Sequence, residues 1–225
     1  MLTVTEALQQ RITTRAFLAT PLPQSLVHEI LATARWAPSG GNTQPWKVVV
    51  LAGARALEAK QLAQGLLKSN PALDESGAQP IYPANLWEPY RTRRYQIGED
   101  MYATMGIGRD NKPARLAHVA RNFAGFGAPV LMFMVIDRRM GHCQWAHLGM
   151  FMQSICLAAL ERGVATCMQE VWSRVRVSMH RHLQLPEEEM IYCGISLGYA
   201  DPAAPVNSLR SRRAPVEEIA RFAGF

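Results

Sequence analysis

Two arginine clusters lie near opposite ends of the chain. Arg11, Thr13 and Arg15 alternate near the N-terminus, and a run from Arg210 to Arg213 lies near the C-terminus. Guanidinium groups bind phosphate oxygens through paired charge-assisted hydrogen bonds, and a hydroxyl such as that of Thr13 adds a further donor. Each cluster alone is typical of a solvated surface patch. Brought together by the fold, the two clusters would bind a monophosphate without a glycine-rich loop.

A second candidate binding element is the loop from Ser39 to Gln44, which directly follows an expected helix. Its two glycines allow the backbone to approach a flat ligand closely. The side chains of Asn42 and Gln44 can donate and accept hydrogen bonds to a heterocycle. The same residue types are common in an ordinary turn, so the loop alone leaves both interpretations open.

Other catalytic signatures are missing from the sequence. Gly106 and Gly108 are not followed by the third glycine of a dinucleotide-binding fingerprint, and neither a Walker A motif nor a nucleophile elbow occurs. Cys143 and His147 are four residues apart but have no neighbouring carboxylate, so we expect no metal site. A protein without a recognisable nucleophile or metal site favours chemistry carried by a bound organic cofactor.

The composition is that of a single globular domain. The 225 residues are 48% apolar and 19% charged, and the longest nearly apolar stretch, 124–136, is too short to cross a bilayer. No signal peptide is recognisable and the four cysteines form no CxxC pair, so we expect a cytoplasmic protein with reduced thiols and no membrane partner. The net charge of +6 favours an anionic ligand. The arginines of the chain are scattered, so we expect no nucleic-acid partner.

Hydrophobic periodicity predicts helices that alternate with the strands of a small central sheet. The helices are expected at residues 23–37, 54–68, 142–162 and 173–183. The strands are expected at residues 46–51, 129–137, 164–168 and 190–197. Residues 70–113, interrupted by several prolines, are predicted to form an irregular excursion or lid. A short amphipathic segment is expected at 216–222.

Seven short motifs are spaced along the chain. They are Arg11-x-Thr13-x-Arg15-x-Phe17, Ala37-Pro38-Ser39-Gly40-Gly41-Asn42-Thr43-Gln44-Pro45-Trp46, Phe126-Gly127-Ala128-Pro129, Gly141-x-x-Gln144-Trp145-x-x-Leu148-Gly149, Gly163-x-x-Thr166-Cys167-x-Gln169, Cys193-Gly194-Ile195-x-Leu197-Gly198-Tyr199-x-Asp201 and Arg210-x-x-Arg213-x-Pro215. In order and spacing these motifs resemble those of the nitroreductase family of flavoproteins. The resemblance covers nearly the whole chain except residues 54–95.

The resemblance implies an α+β fold with a central, mostly antiparallel sheet flanked by helices, assembled as an FMN-binding homodimer. Residues 1–225 would form one domain, with 70–113 as its lid and 200–225 as a C-terminal extension that embraces the partner subunit. The phosphate of FMN would be held by residues of both arginine clusters. These are Arg11, Thr13, Arg15 and one or both of Arg210 and Arg213.

The resemblance also assigns residues to the flavin ring. Those implied to contact the isoalloxazine from the other subunit are Pro38, Ser39, Gly40 and Asn42. Backbone near Met168 and Gln169 would face the reactive N5 edge, where an N–H group favours the reduced flavin. Three positions depart from the common family pattern: Ile12 lies where relatives often have a polar or basic residue, Thr13 replaces a serine, and Met168 replaces a proline that is frequent there.

The reaction implied is the reduction of a small nitroaromatic or quinone-like acceptor by a ping-pong mechanism, with NADPH or NADH as the electron donor. Aromatic stacking would position the acceptor, because no side chain is a clear catalytic acid. The aromatic residues that we expect in the lid are Trp87, Tyr90, Tyr95, Tyr102 and Phe123. For each of these residues, packing in the core is the alternative to stacking on a substrate.

Other functions remain open at this point. A flavin carrier or sensor without turnover would use the same cofactor contacts. The family also contains deiodinases, which clamp an amino-acid substrate with Glu, Tyr and Lys, and flavin-fragmenting enzymes. Glu99 and Tyr102 could begin such a clamp, but no lysine follows nearby.

Overall fold

The centre of the fold is an antiparallel sheet. The computed structural model describes residues 2–77 and 79–225, and within them four strands pair in the order β1-β2-β4-β3. The strands are β1 (Trp46–Ala52), β2 (Val130–Asp137), β3 (Ala165–Gln169) and β4 (Glu189–Gly198). Each neighbouring pair runs antiparallel. The predicted α+β class and antiparallel sheet are confirmed.

Helices of very different lengths flank this sheet. They are α1 (Val4–Gln10), α2 (Gln24–Ala34), α3 (Gly53–Ser69), α4 (Tyr90–Thr104), α5 (Lys112–Ala120), α6 (His142–Glu161), α7 (Arg176–His182) and α8 (Val216–Ile219). The predicted helices α2, α3 and α6 are present within a few residues of their expected ends. The helix expected at 173–183 is shorter, because a 3-10 turn (Glu170–Val175) precedes α7.

The position of β2 in the middle of the sheet explains why its sequence is apolar at successive positions. Met132 and Met134 point into one buried cluster with Ile155 of α6. Phe133, on the other face, packs into a second buried cluster with Trp172. Because both faces of this central strand are covered, every position from 130 to 136 is buried. Burial on both faces removes the alternation that marks a half-exposed strand.

The two ends of the chain meet beside β3. Thr14 donates its backbone N–H to the carbonyl of Thr166 in β3 at 2.9 Å, so the N-terminal arginine cluster runs along this strand. Asn207 accepts a hydrogen bond from the backbone N–H of Arg15 at 2.8 Å and donates another to the carbonyl of Ala16 at 2.8 Å. The side chain of Asn207 therefore ties the C-terminal segment to the first arginine cluster.

The excursion at residues 70–113 is more regular than the sequence predicts, because it contains α4 and the start of α5. Helix α4 has no buried residue, so it lacks the apolar stripe that periodicity detects. Instead it contacts the C-terminal segment: Arg93 pairs with Glu218, and Nε of Arg212 lies 3.9 Å from Asp100. A helix held by charged contacts leaves little hydrophobic signal in its sequence.

None of the helices in the described ranges, 2–77 and 79–225, is both long and apolar enough to span a membrane.

Candidate functional site

The N-terminal arginine cluster lies at the start of β3. Arg11 and Thr166 line a cavity of about 250 Å³ together with Cys156 of α6. Nε of Arg11 is buried and has no hydrogen-bond partner among the described residues. Leaving a buried charged donor without a partner costs more than an ordinary hydrogen bond contributes, so this nitrogen indicates an anionic ligand at the site. A phosphate group fits this requirement.

The C-terminal arginines divide between two places. Arg210 donates to the carbonyls of Asn207 and Leu209 at 3.2 Å, and so lies close to the point where Asn207 holds Arg15. Arg213 donates to Ser211 and lines a groove against α4. Within one chain, Arg210 is therefore joined to the first arginine cluster through Asn207, whereas Arg213 faces the excursion.

The far end of β3 opens into a larger cavity. Met168 and Gln169 line a space of about 700 Å³, which lies between the sheet and the excursion. From Thr166 to Gln169 the strand rises roughly 10 Å at about 3.3 Å per residue. A single strand therefore connects the cavity beside Arg11 to the larger cavity.

The side chain of Gln169 is buried and fully engaged. Its Oε1 accepts a hydrogen bond from Ser196 at 2.6 Å, and its Nε2 donates to the carbonyl of Asn122 at 2.8 Å. Nε1 of Trp172 donates to the same Oε1 at 3.4 Å. This network fixes the end of β3 from three sides. The side-chain amide of Gln169 is therefore not free to bind a ligand.

The loop from Ser39 to Gln44 is held against the start of α6. Asn42 and Gln44 have positive φ angles of 54° and 45°, and Oγ of Ser39 accepts the backbone N–H of Gln44 at 2.9 Å. Thr43 donates to Gln144 at 2.8 Å. The loop is not part of the lining of the large cavity in its own chain.

The predicted lid aromatics lie outside the large cavity. Trp87 and Tyr90 are exposed and form an edge-to-face pair at 5.6 Å. Tyr95 lines a neighbouring cavity, and the ring of Tyr102 packs edge to face against His118. The prediction for Phe123 is wrong: this side chain is 3% exposed and packs on Trp172 in the core, so it cannot contact a substrate.

Several residues that line the large cavity were missed by the sequence reasoning. They are Tyr82, Arg94, Asn122, Glu170, Arg174 and Tyr192. Tyr82 and Arg94 belong to the excursion, where no motif marks a position. Glu170 directly follows the motif residue Gln169, and this adjacency in the sequence indicates that Glu170 lies near the site. Desolvation within the cavity raises the pKa of the Glu170 carboxyl.

The thiols are unsuited to nucleophilic chemistry. Cys156, Cys167 and Cys193 are buried, and burial raises the pKa of each thiol, to about 12 for Cys167. A thiol with a raised pKa carries little of the reactive thiolate. Cys143 is exposed. Within residues 2–77 and 79–225, no three His, Cys, Asp or Glu side chains form a group that could hold a metal ion.

Comparisons with known proteins identify the family of this chain. The chain is 38% identical to a 4-nitrobenzoate reductase of Pseudomonas putida, over 94% of this chain and 91% of the relative. It is 34% identical to a chloronitrobenzene nitroreductase of Comamonas testosteroni, over 97% and 96% of the two chains. The crystal structure of the FMN and NADPH-dependent nitroreductase NfnB from Sphigopyxis sp. strain HMH superposes with a TM-score of 0.94 at 37% identity, covering both chains completely. The family model described as the nitroreductase family matches residues 8–199, and this chain therefore belongs to the nitroreductase family.

Proposed function

We propose that this protein is an FMN-dependent oxidoreductase that uses NADPH or NADH to reduce nitroaromatic compounds. The observation that carries the proposal is the unpaired, buried Nε of Arg11 at one end of β3, with the large cavity beyond Gln169 at the other end. The relatives described above, which are named as nitroreductases, support the same reaction class.

The arginines would bind the cofactor through its phosphate. Arg11, Arg15 and Arg210 would supply guanidinium groups, and the hydroxyl of Thr13 would add a donor. Because β3 is paired to β4 along its length, the distance between the phosphate and the cavity is fixed. The backbone near Met168 and Gln169 would then donate a hydrogen bond at the reactive edge of the ring.

Bound FMN supplies hydride-accepting and electron-donating chemistry that no side chain here provides. The protein would position the nicotinamide donor and then the aromatic acceptor in the same cavity, one leaving before the other enters. Met168 and Tyr192 offer polarisable and aromatic surface against which a flat substrate can stack. Gln169 holds the cavity floor rigid, so that each substrate meets the ring at the same distance.

We propose further that two chains form the complete enzyme. Trp36, Ile219 and Phe222 are exposed by 80%, 72% and 69%, and burial of these large apolar side chains would favour an interface with a second chain. The loop from Ser39 to Gln44 lies outside the cavity of its own chain, so it would contact the flavin bound to the partner. Residues 200–225 would embrace that partner. Sedimentation should give a dimer, and removal of residues 216–225 should weaken it.

The cysteines also favour a location. All four are unpaired and three are buried, as in proteins of a reducing compartment, so we propose that the enzyme acts in the cytoplasm.

The visible absorption spectrum of the purified protein tests the proposed reaction. Flavin bands that bleach on anaerobic addition of NADPH and return on addition of nitrobenzene are expected. Bands that bleach but do not return with any nitroarene would instead indicate a carrier or sensor. A protein that remains colourless after incubation with FMN would overturn the cofactor assignment.

A further inference from the structure

The charged side chains of the large cavity differ in how they are satisfied. Arg174 donates to the carbonyls of Pro71 and Leu73 at 2.8–2.9 Å, so its guanidinium is occupied in holding the excursion. Glu170 lines the same cavity as a carboxylate. Arg94, from α4, is the remaining charged residue of the lining.

Arg94 is held by a ring instead of a carboxylate. Its guanidinium carbon lies 4.1 Å from the ring centroid of Tyr82, which also lines the cavity. Within the described part of the chain it forms no ion pair and donates no hydrogen bond. Its neighbours on the same helix do: Arg91 pairs with Glu88 at 2.8 Å, and Arg93 pairs with Glu218.

Stacking on Tyr82 orients the planar guanidinium without using its N–H donors. The five donors of the fork remain available, and an oxyanion with two oxygens in a plane satisfies them best. Arg94 also lines the adjacent cavity between α4 and residues 83–86, so a ligand can reach it from both sides.

We propose that Arg94, oriented by Tyr82, is an oxyanion subsite of the candidate active-site cavity. It takes an anionic group carried by one of the two substrates, either the carboxylate of a nitrobenzoate-type acceptor or the 2′-phosphate of NADPH. The subsite rests on the proposed function for the identity of the substrates. It adds a selection for charge that aromatic stacking alone does not provide.

Arg94→Gln in the FMN-loaded protein tests the subsite. The substrates are compared in pairs that differ in one anionic group: 4-nitrobenzoate with nitrobenzene, and NADPH with NADH. If the acceptor carboxylate binds Arg94, the KM for 4-nitrobenzoate rises about tenfold and that for nitrobenzene is unchanged. If the 2′-phosphate binds there, the KM for NADPH rises about tenfold and that for NADH is unchanged.

Three further variants separate the subsite from general charge effects. Arg93→Gln removes the same charge one residue away and should leave both KM ratios as in the unsubstituted protein. Tyr82→Phe keeps the ring and should also leave them unchanged, whereas Tyr82→Leu should reproduce part of the Arg94→Gln effect. Equal changes for both members of each pair, or no change in either pair, would overturn the proposal.

A binding measurement distinguishes failure of the subsite from failure of the proposed reaction. Benzoate and 2′-phospho-AMP carry the two anionic groups but cannot be reduced, so their dissociation constants report binding alone. One of them should bind the unsubstituted protein about tenfold more tightly than the Arg94→Gln variant. Loss of that difference in a protein that still reduces nitrobenzene would reject the subsite alone.

Discussion

Gly40 donates its backbone N–H to Nε2 of His147 at 3.3 Å, and this contact joins the Ser39–Gln44 loop to α6. Because Nε2 accepts, the imidazole proton lies on Nδ1, which is 3.1 Å from Oε1 of Gln144. The same oxygen accepts the hydroxyl of Thr43. His147 and Gln144 therefore hold the loop at two positions, Gly40 and Thr43.

We expect His147→Phe to weaken FMN binding about fivefold, because losing one hydrogen bond of roughly 1 kcal/mol releases a loop proposed to contact the flavin. His147→Gln, whose amide oxygen can still accept a hydrogen bond from Gly40, should retain more of the affinity. Fluorescence titration with FMN measures both variants. Equal FMN affinity in all three proteins would show that the loop does not contribute to FMN binding.

The double variant Arg11→Ala, Arg210→Ala should lose FMN while it keeps its fold. Two charge-assisted contacts are removed, so the affinity for FMN should fall at least a hundredfold. Riboflavin, which lacks the phosphate, should bind the variant and the unsubstituted protein alike. Arg55→Ala, on α3 and paired with Glu58 at 2.7 Å, is the control. Tight FMN binding by the double variant would refute the phosphate assignment.

The parts of the site that the sequence reveals are those with local signals. The turn-forming residues of the Ser39–Gln44 loop and the alternating Arg11, Thr13 and Arg15 are visible without a structure. Tyr82 and Arg94 are not, because their relevance arises from a contact between an irregular segment and a polar helix. The role of Asn207 is also not visible in the sequence, since it depends on a partner, Arg15, that is 192 residues away.

The helices and strands of the fold also differ in whether the sequence predicts them. Helix α6 is predictable because its buried apolar positions recur at helical spacing, and strand β2 because it is a short continuous apolar run. Helix α1 carries a readable signal that was missed, the capping box between Thr3 and Glu6. Helix α4 has neither an apolar stripe nor a side-chain cap, so neither kind of signal exists for it.

Gly194→Ala should destabilise the protein by about 2 kcal/mol. An added Cβ would lie 2.5 Å from Cδ1 of Trp172, whose ring is buried against β4 and cannot withdraw. Gly65→Ala is the matched control, because nothing lies within 4 Å of its Cβ in the middle of α3. That substitution should instead stabilise the helix by roughly 0.5–1 kcal/mol. Thermal unfolding of both variants gives the comparison, and equal effects would contradict the packing described.

Stability should decrease between pH 6.5 and 4 because of His118. This side chain is 5% exposed, its Nε2 has no partner in the described residues, and burial together with Arg121 and Arg15 lowers its pKa to about 4. The unfolded chain, with a pKa of 6.5, binds the proton first, so acidification favours unfolding. The loss from pH 7 to 4.5 should be roughly 2 kcal/mol at about 1.4 kcal/mol per unit.

Urea unfolding at the two pH values measures this loss. In His118→Leu the difference between pH 7 and 4.5 should shrink by about that amount, since no imidazole remains between Tyr102 and Phe126. His28→Gln, at an exposed position of α2, should leave the difference unchanged. A pH dependence that survives in His118→Leu would assign the acid sensitivity to other groups.

The strand β3 and the helix α4 differ in what they allow during divergence. Strand β3 is paired to β4 along its length, so inserting one residue would turn its side chains to the opposite faces and change the spacing proposed for the cofactor site. Helix α4 carries Arg94 but buries none of its residues, so its sequence can change at little cost to the core. Substitutions in α4 would therefore change which substrates the cavity accepts, while the spacing set by β3 stays the same.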